Sequence, residues 1–448
     1  TMTLSFSQKP IRQSHTLCAG EQEYVERRKK VVMESLNSLG INCTADSVPH
    51  IALLASGGGQ RAAVGLVGSL YQMKKDGLLD TLLYLGGVSG STWSMSSLYS
   101  DPQWSTNMNT AVSKLSGPGV ELEQALGWLT ERAKEEHFSL TDVWGVLTSA
   151  AFMKQMDLRH LSDDAGQNAT NPYPIYSAME KHCFSHGPIE GKWFEVSPHE
   201  SGFPEMGLFI ETSLLGSKFQ DGKLLEKKPE MDMVKLQGLF SLLTEQVLPL
   251  ILKWEWGTTN NFLYQYQDFP IPSCLHHQES FHLVDAGMLI NVAYPPFLGD
   301  KRDIDLIIAP EYSAGNMFEA LDYAAEVNKP FPEIDDKVLE ERDWPKDCYV
   351  FEGKDKEPTI VYLPLFNRKN CKGLFHKHTL KERGTRIFWR KKCSIPILAT
   401  RRISHKQEEL FADNVRVTCL THVLGPVSQS SINMSGISSC FLASLTDI

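Results

Sequence analysis

Two short apolar runs, each opening into a glycine-rich turn and then a helical stretch, constrain this chain more than any other feature. The first is His50-Ile-Ala-Leu-Leu-Ala55, followed by Ser56-Gly-Gly-Gly-Gln-Arg61 and a helical segment over residues 62–75. The second is Thr81-Leu-Leu-Tyr-Leu85, followed by Gly86-Gly-Val-Ser-Gly-Ser91 and a helix-like stretch over residues 92–99. Unbroken apolar runs of this length suit strands buried on both faces. Two such units in about fifty residues predict a parallel sheet with crossover helices.

The 448 residues exceed one typical domain, so one large α/β domain with insertions or a two-domain chain is expected. The net charge of −10 argues against nucleic-acid binding. Nine cysteines occur without a CxxC pair, which argues against zinc ribbons and a dense disulfide framework. No apolar signal core opens the chain, and no run of about 18 uncharged apolar residues is present. A reducing, cytoplasmic location is therefore expected, and the sequons at Asn42, Asn168 and Asn433 are read as chance.

Residues 21–39 read as a helix ended by Gly40, and residues 100–225 as mixed, helical with loops. Residues 239–252 are strongly apolar, with Trp254 and Trp256 just after. Short strands are expected at 281–284, ending on Asp285-Ala-Gly287, and at 305–309. Residues 368–406 hold 13 Lys or Arg against the single acid Glu382. The last residues, 425–448, are Ser-rich and weakly patterned.

Gly87-Val-Ser89-Gly-Ser91 carries the strongest chemical signal. A serine on a sharp strand-to-helix turn presents its hydroxyl outside the sheet, and the helix start offers amides to an oxyanion. Ser91 replaces the usual final glycine; a Gly/Ser loop without chemistry is the alternative that this pentapeptide leaves open. Gly57-Gly58-Gly59 also follows a buried strand and lets backbone amides approach a ligand. It lacks a P-loop ending, so an oxyanion hole at Gly58 and Gly59 is preferred over nucleotide binding; a plain tight turn is the alternative. The one-βαβ spacing places both turns at one sheet edge, which raises the enzyme reading. Asp285, at a strand exit, is the better base candidate, although its local pattern alone favours a turn-capping role. His276 and His277 near Cys274 read as a solvated loop rather than a metal site.

The ordered strings SGGGQRA, GVSGSTW, WEWGTTNNFLY and HLVDAG resemble the group IV cytosolic phospholipase A2 family, the gamma type above all. Further matches are Pro172-Tyr-Pro-Ile175, Phe209-Ile210, residues 216–219, and residues 304–308 with Ser313-Ala-Gly315, so the likeness covers roughly residues 20–370. It implies a patatin-like α/β fold with a mostly parallel central sheet, flanking helices and a cap or lid region. It also implies a Ser/Asp dyad: Ser89 as nucleophile, Asp285 as base, and Gly58 and Gly59 as the oxyanion loop. Arg61 matches an arginine needed for activity, and Arg302 a second one, facing the head-group phosphate or supporting the site. The implied enzyme is a calcium-independent phospholipase A2 and lysophospholipase acting at a membrane surface, cytoplasmic and peripherally bound, with no metal, cofactor or nucleic-acid partner.

The expected layout is an N-terminal helical segment (1–45), a catalytic domain (46–370) with a short lid around 225–253, and a divergent tail (371–448). No calcium-binding module is expected before the first strand. Only 34 residues separate Phe219 from Trp254, which leaves room for a short lid alone. The ending Leu445-Thr-Asp-Ile448 carries no prenylation cysteine. The basic segment is a candidate for anionic lipid, beside a solvated-tail reading. The alternatives are a Ser-His-Asp esterase using His376 or His378, and a catalytically weak lipid-binding homologue.

Overall fold

The computed structural model describes residues 10–240, 257–313, 319–341, 345–365 and 367–368. The apolar run beyond Phe240, the tryptophans 254 and 256, and the basic and Ser-rich tail, with His376 and His378, lie outside the described residues.

Along the chain the strands are β1 (Ile11–Gln13), β2 (Ile51–Ala55), β3 (Tyr84–Gly87), β4 (Tyr173–Glu180), β5 (Trp193–Val196), β6 (Glu200–Phe203) and β7 (Leu208–Glu211). They continue with β8 (Lys218–Gln220), β9 (Lys223–Glu226), β10 (Thr258–Asn260), β11 (Ser280–Asp285), β12 (Leu306–Glu311), β13 (Tyr349–Phe351) and β14 (Thr359–Pro364). The five strands β4, β3, β2, β12 and β14 lie side by side and run parallel. Their apolar runs are why they take the centre: every residue of β2, β3, β4 and β12 is buried.

Antiparallel strands extend both edges, β5, β6, β7 and β1 beyond β4, and β13 beyond β14. β8 and β9 form a separate hairpin. The fold is thus the expected α/β architecture, with a parallel centre inside a larger mixed sheet. Residues 173–226 depart from the helical expectation: they hold six strands, β4 to β9. Most are three or four residues long and buried, so they carry no alternation for a sequence reading to find.

Helices α1 (Ala19–Ser38), α2 (Gln60–Lys75) and α3 (Gly90–Tyr99) match the predicted segments within two residues. α1 buries Tyr24, Val25, Val32 and Leu36 in the main core, and β1 pairs with β7. The N-terminal segment is therefore built into the same sheet and core. Within the expected lid, the helix Met233–Leu239 is buried at every residue.

The described residues contain one disulfide, Cys183–Cys274, with Cα atoms 5.3 Å apart and the two cysteines 91 positions apart in sequence. Cysteine spacing could not reveal it, and a single bridge is not the dense framework that the spacing argues against. Cys274 is thereby excluded as a metal ligand.

Candidate active site

β2 and β3 pair in register, Ala55 opposite Gly87, so both glycine-rich turns leave the same carboxyl edge of the sheet. At the second turn Ser89 has φ +52° and ψ −123°. A non-glycine residue held there stores about 1–3 kcal/mol of backbone strain. The next residue starts α3, and a Cβ at Gly90 would come within 1.9 Å of the Gly59 carbonyl oxygen. Only glycine at 90 lets the two turns touch.

The glycine loop itself bends through positive φ at Gly58 (+140°) and Gly59 (+59°), the latter capping the start of α2. Its floor is the chain just past β12. The Tyr312 carbonyl oxygen lies 3.0 Å from where a Cβ at Gly58 would be. The Tyr312 amide donates to Ser56 Oγ at 2.6 Å, and the Gly57 amide donates to the Asn291 carbonyl at 2.7 Å. Arg61 is exposed, but its Nε donates to the Tyr312 carbonyl at 2.7 Å. Arg61 therefore braces the loop from outside. Glu311 is buried beside it, accepting from the Ser313 amide at 2.7 Å, and burial pushes its carboxyl above the ordinary value.

Asp285 arrives from the opposite direction. Residues 176–179 of β4 pair with β5 on one edge. On the other edge, residues 173–176 pair with β3, and residues 178–180 with β11, antiparallel. β3 and β11 therefore meet head-on along one edge of β4. Gly87 lies opposite Tyr176, and Asp285 opposite Ala178. Ser89 Oγ donates to Asp285 Oδ2 at 2.6 Å, and the Gly287 amide donates to Asp285 Oδ1 at 2.8 Å. Both side chains are buried, at 8% and 7% exposure. An apolar cluster of Ala63, Trp93, Trp144, Met153, Met179 and Val284 packs around this junction. Trp93 stacks on Phe152 and fixes α3 behind the serine.

The structure thus brings Ser89, Asp285, Gly58, Gly59 and Arg61 together. Arg302 is elsewhere. It precedes β12, beside His50 at the start of β2, about 16 Å of strand away from the dyad. Its Nε and Nη2 donate to Glu21, Nη1 and Nη2 to Glu195, and Nη1 also to the Pro296 carbonyl, at 2.8–3.2 Å. All five guanidinium hydrogens are consumed in a site 2% exposed, so none is left for a head-group phosphate. Of the two roles expected for Arg302, the geometry gives it support.

Sequence reasoning missed Tyr312, Asn291 and Gly287, which act through backbone atoms and carry no side-chain signature. Among the described residues the rings of His276 and His277 hydrogen-bond to each other and to Gln267 near the surface, in line with a solvated loop.

Comparison with known proteins bears on the family and the fold. A family model described as the lysophospholipase catalytic domain matches residues 51–124 and 128–269. Human cytosolic phospholipase A2 gamma is 28% identical, over 79% of this chain and 85% of its own length. Human cytosolic phospholipase A2 zeta is 30% identical over 80% of this chain, which spans only 54% of that relative. The solved structure of human GIVD cytosolic phospholipase A2 superposes with a TM-score of 0.72 at 25% identity, covering 98% of this chain and 66% of that one. The same protein in complex with methyl gamma-linolenyl fluorophosphonate gives 0.70 at 26% identity. On the matched family model, these relatives and the shared fold, this chain belongs to the cytosolic phospholipase A2 family.

Proposed function

We propose that this chain hydrolyses acyl esters of glycerophospholipids, and of lysophospholipids, through a Ser89/Asp285 dyad and an acyl-enzyme. The observation that carries the reading is the 2.6 Å hydrogen bond from Ser89 Oγ to Asp285 Oδ2 on a strained turn. Asp285 takes the hydroxyl proton as Ser89 Oγ attacks the ester carbonyl. Gly58 and Gly59 offer amides to the oxygen that becomes negative, each such donor being worth about 2.7–4 kcal/mol of barrier. The tetrahedral species collapses, and the lysophospholipid alkoxide leaves with the proton held by Asp285. Water, deprotonated by Asp285, then attacks the acyl-enzyme, and the fatty acid departs as Ser89 regains its proton.

Direct contact between the serine and the carboxylate leaves no room for an imidazole between them, which favours the dyad over a Ser-His-Asp triad. Carboxylate and backbone amides supply this chemistry, so we propose calcium-independent turnover. Helices Leu122–Arg132 and Leu140–Leu147 carry exposed Leu122 (71%), Leu126 (52%), Val143 and Leu147. Exposed apolar residues on two helices packed against each other support action at a membrane surface.

The test is fatty-acid release from mixed phospholipid vesicles, in chelator and with calcium, for wild type, Ser89→Ala and Asp285→Asn. Release in chelator that falls at least about 1000-fold in both variants is expected. No release by folded wild type, or full activity in Asp285→Asn, would sink the proposal.

A further inference from the structure

We propose that Glu180, His182 and His282 form a binding site for a divalent transition-metal ion of the zinc class, tying β11 to the helix that follows β4. The site is separate from the dyad and makes no use of the proposed hydrolysis. His182 is the second residue of the helix Lys181–His186, and His282 lies three residues before Asp285 on β11. Side chains alternate along a strand, so His282 projects to the face opposite Asp285.

One ligand atom from each of the three residues lies within 4.8 Å of the other two. His182 Nε2 and His282 Nδ1 are 3.1 Å apart. Zn²⁺ bound tetrahedrally at 2.0–2.1 Å sets neighbouring ligands about 3.3 Å apart, so the two imidazoles already span one edge of that tetrahedron. Moving the Glu180 carboxylate by up to about 1.5 Å closes the remaining edges. Two imidazoles and one carboxylate, with a fourth position for water, make a borderline-soft donor set that suits zinc and disfavours calcium or magnesium.

Charge gives an independent argument. Glu180 is fully buried, and no lysine or arginine among the described residues forms an ion pair with it. Its oxygens accept from backbone amides, Cys183 at 2.6 Å, His282 at 3.1 Å and also His182, and the His182 ring is the charge-bearing group that acts on it. Buried carboxylates are as a rule paired or metal-bound. Three amide bonds still leave a lone pair on Glu180 for a cation. The Cys183–Cys274 disulfide pins the same helix, so His182 is held in place before any metal arrives.

The experiment titrates ZnCl₂ into chelator-stripped full-length protein by calorimetry, with Co²⁺ as a spectroscopic probe. One equivalent of Zn²⁺ should bind, and Co²⁺ should give intense visible bands of tetrahedral coordination. His182→Ala and His282→Ala should each weaken binding by more than about tenfold, and the surface control His277→Ala should leave it unchanged. X-ray absorption at the zinc edge of loaded wild type depends on no variant folding, and should show two imidazoles with oxygen completing the shell. Absence of saturable Zn²⁺ binding by wild type, loss of binding in His277→Ala, or a zinc shell with fewer than two imidazoles would overturn the proposal.

Discussion

Replacing Arg302 by methionine keeps the stem and removes the charge. The guanidinium neutralises two carboxylates, Glu21 and Glu195, whose side chains are 1% and 2% exposed. Breaking a buried pair from one side costs about 3–5 kcal/mol, because the remaining charge stays out of water. The titration of Glu195 gives a second measure. Burial raises its pKa, but Arg302 and then Lys301 outweigh that and bring it down to about 2 from an ordinary 4.5. Such a shift corresponds to about 3 kcal/mol of stability. Because the folded value is the lower one, this stability is complete above pH 4.5 and drains away as pH falls toward 2. Lys301 still reaches Glu195 at 2.5 Å in the variant, so the lower half of the 3–5 range is expected. Urea unfolding followed by tryptophan fluorescence at pH 7 measures the loss. On acidification from pH 7 to 5 the variant should gain on wild type, since buried Glu195, having lost the larger of its two counter-charges, takes up its proton at a higher pH in the folded state. Turnover per folded molecule and KM for anionic phospholipid should stay within about twofold. An unchanged unfolding midpoint with a tenfold higher KM would refute the support role and return Arg302 to the head group.

Three further outcomes follow from the site's backing. Gly58→Ala puts a Cβ against the Tyr312 carbonyl at φ +140°, so kcat should fall about 100- to 1000-fold with a stability loss of about 1–3 kcal/mol; matched kcat in the variant would dismiss the loop as an oxyanion hole. Arg61→Ala removes the brace on the Tyr312 carbonyl, and kcat should drop about tenfold or more while the melting temperature barely moves, read by turnover beside calorimetry. Cys183→Ala with Cys274→Ala opens a 91-residue loop, for which chain entropy predicts a loss of up to about 4–5 kcal/mol; equal melting temperatures for the variant and oxidised wild type would contradict the disulfide's structural role.

What was legible in the sequence was local. β2 and β3 announce themselves because a strand buried on both faces needs unbroken apolar residues, and Gly58, Gly59 and Ser89 are legible because sharp turns demand particular residue types. Asp285 needed the family resemblance, since an aspartate at a strand exit is common. Features made by distant pairings were hidden. Arg302 meets Glu21 across 281 positions, and His182 meets His282 across 100. The strands over residues 173–226 read as helix and loop because pieces such as Glu200-Ser-Gly-Phe203 bury polar residues against neighbours that sequence does not name.

The dyad geometry is a property of β4 more than of either residue that forms it. Gly87 and Asp285 face positions 176 and 178 of the same strand edge, two residues and about 7 Å apart. Ser89 lies two residues past Gly87, on a turn that doubles back toward α3, and this fills the gap left between the opposed strand ends. A serine on a longer turn would overshoot the carboxylate. One residue of slip in β11 would flip Asp285 to the other face and bring His282 or its neighbours out of register with Glu180. The register is held from three sides, by Leu283 opposite Glu180, by the Leu283 amide donating to the Gly257 carbonyl at 3.0 Å, and by the His282 amide on the Glu180 carboxylate at 3.1 Å. Glu180 therefore links the proposed chemistry to the proposed metal site: the carboxylate that would hold the ion already fixes the strand that delivers the base.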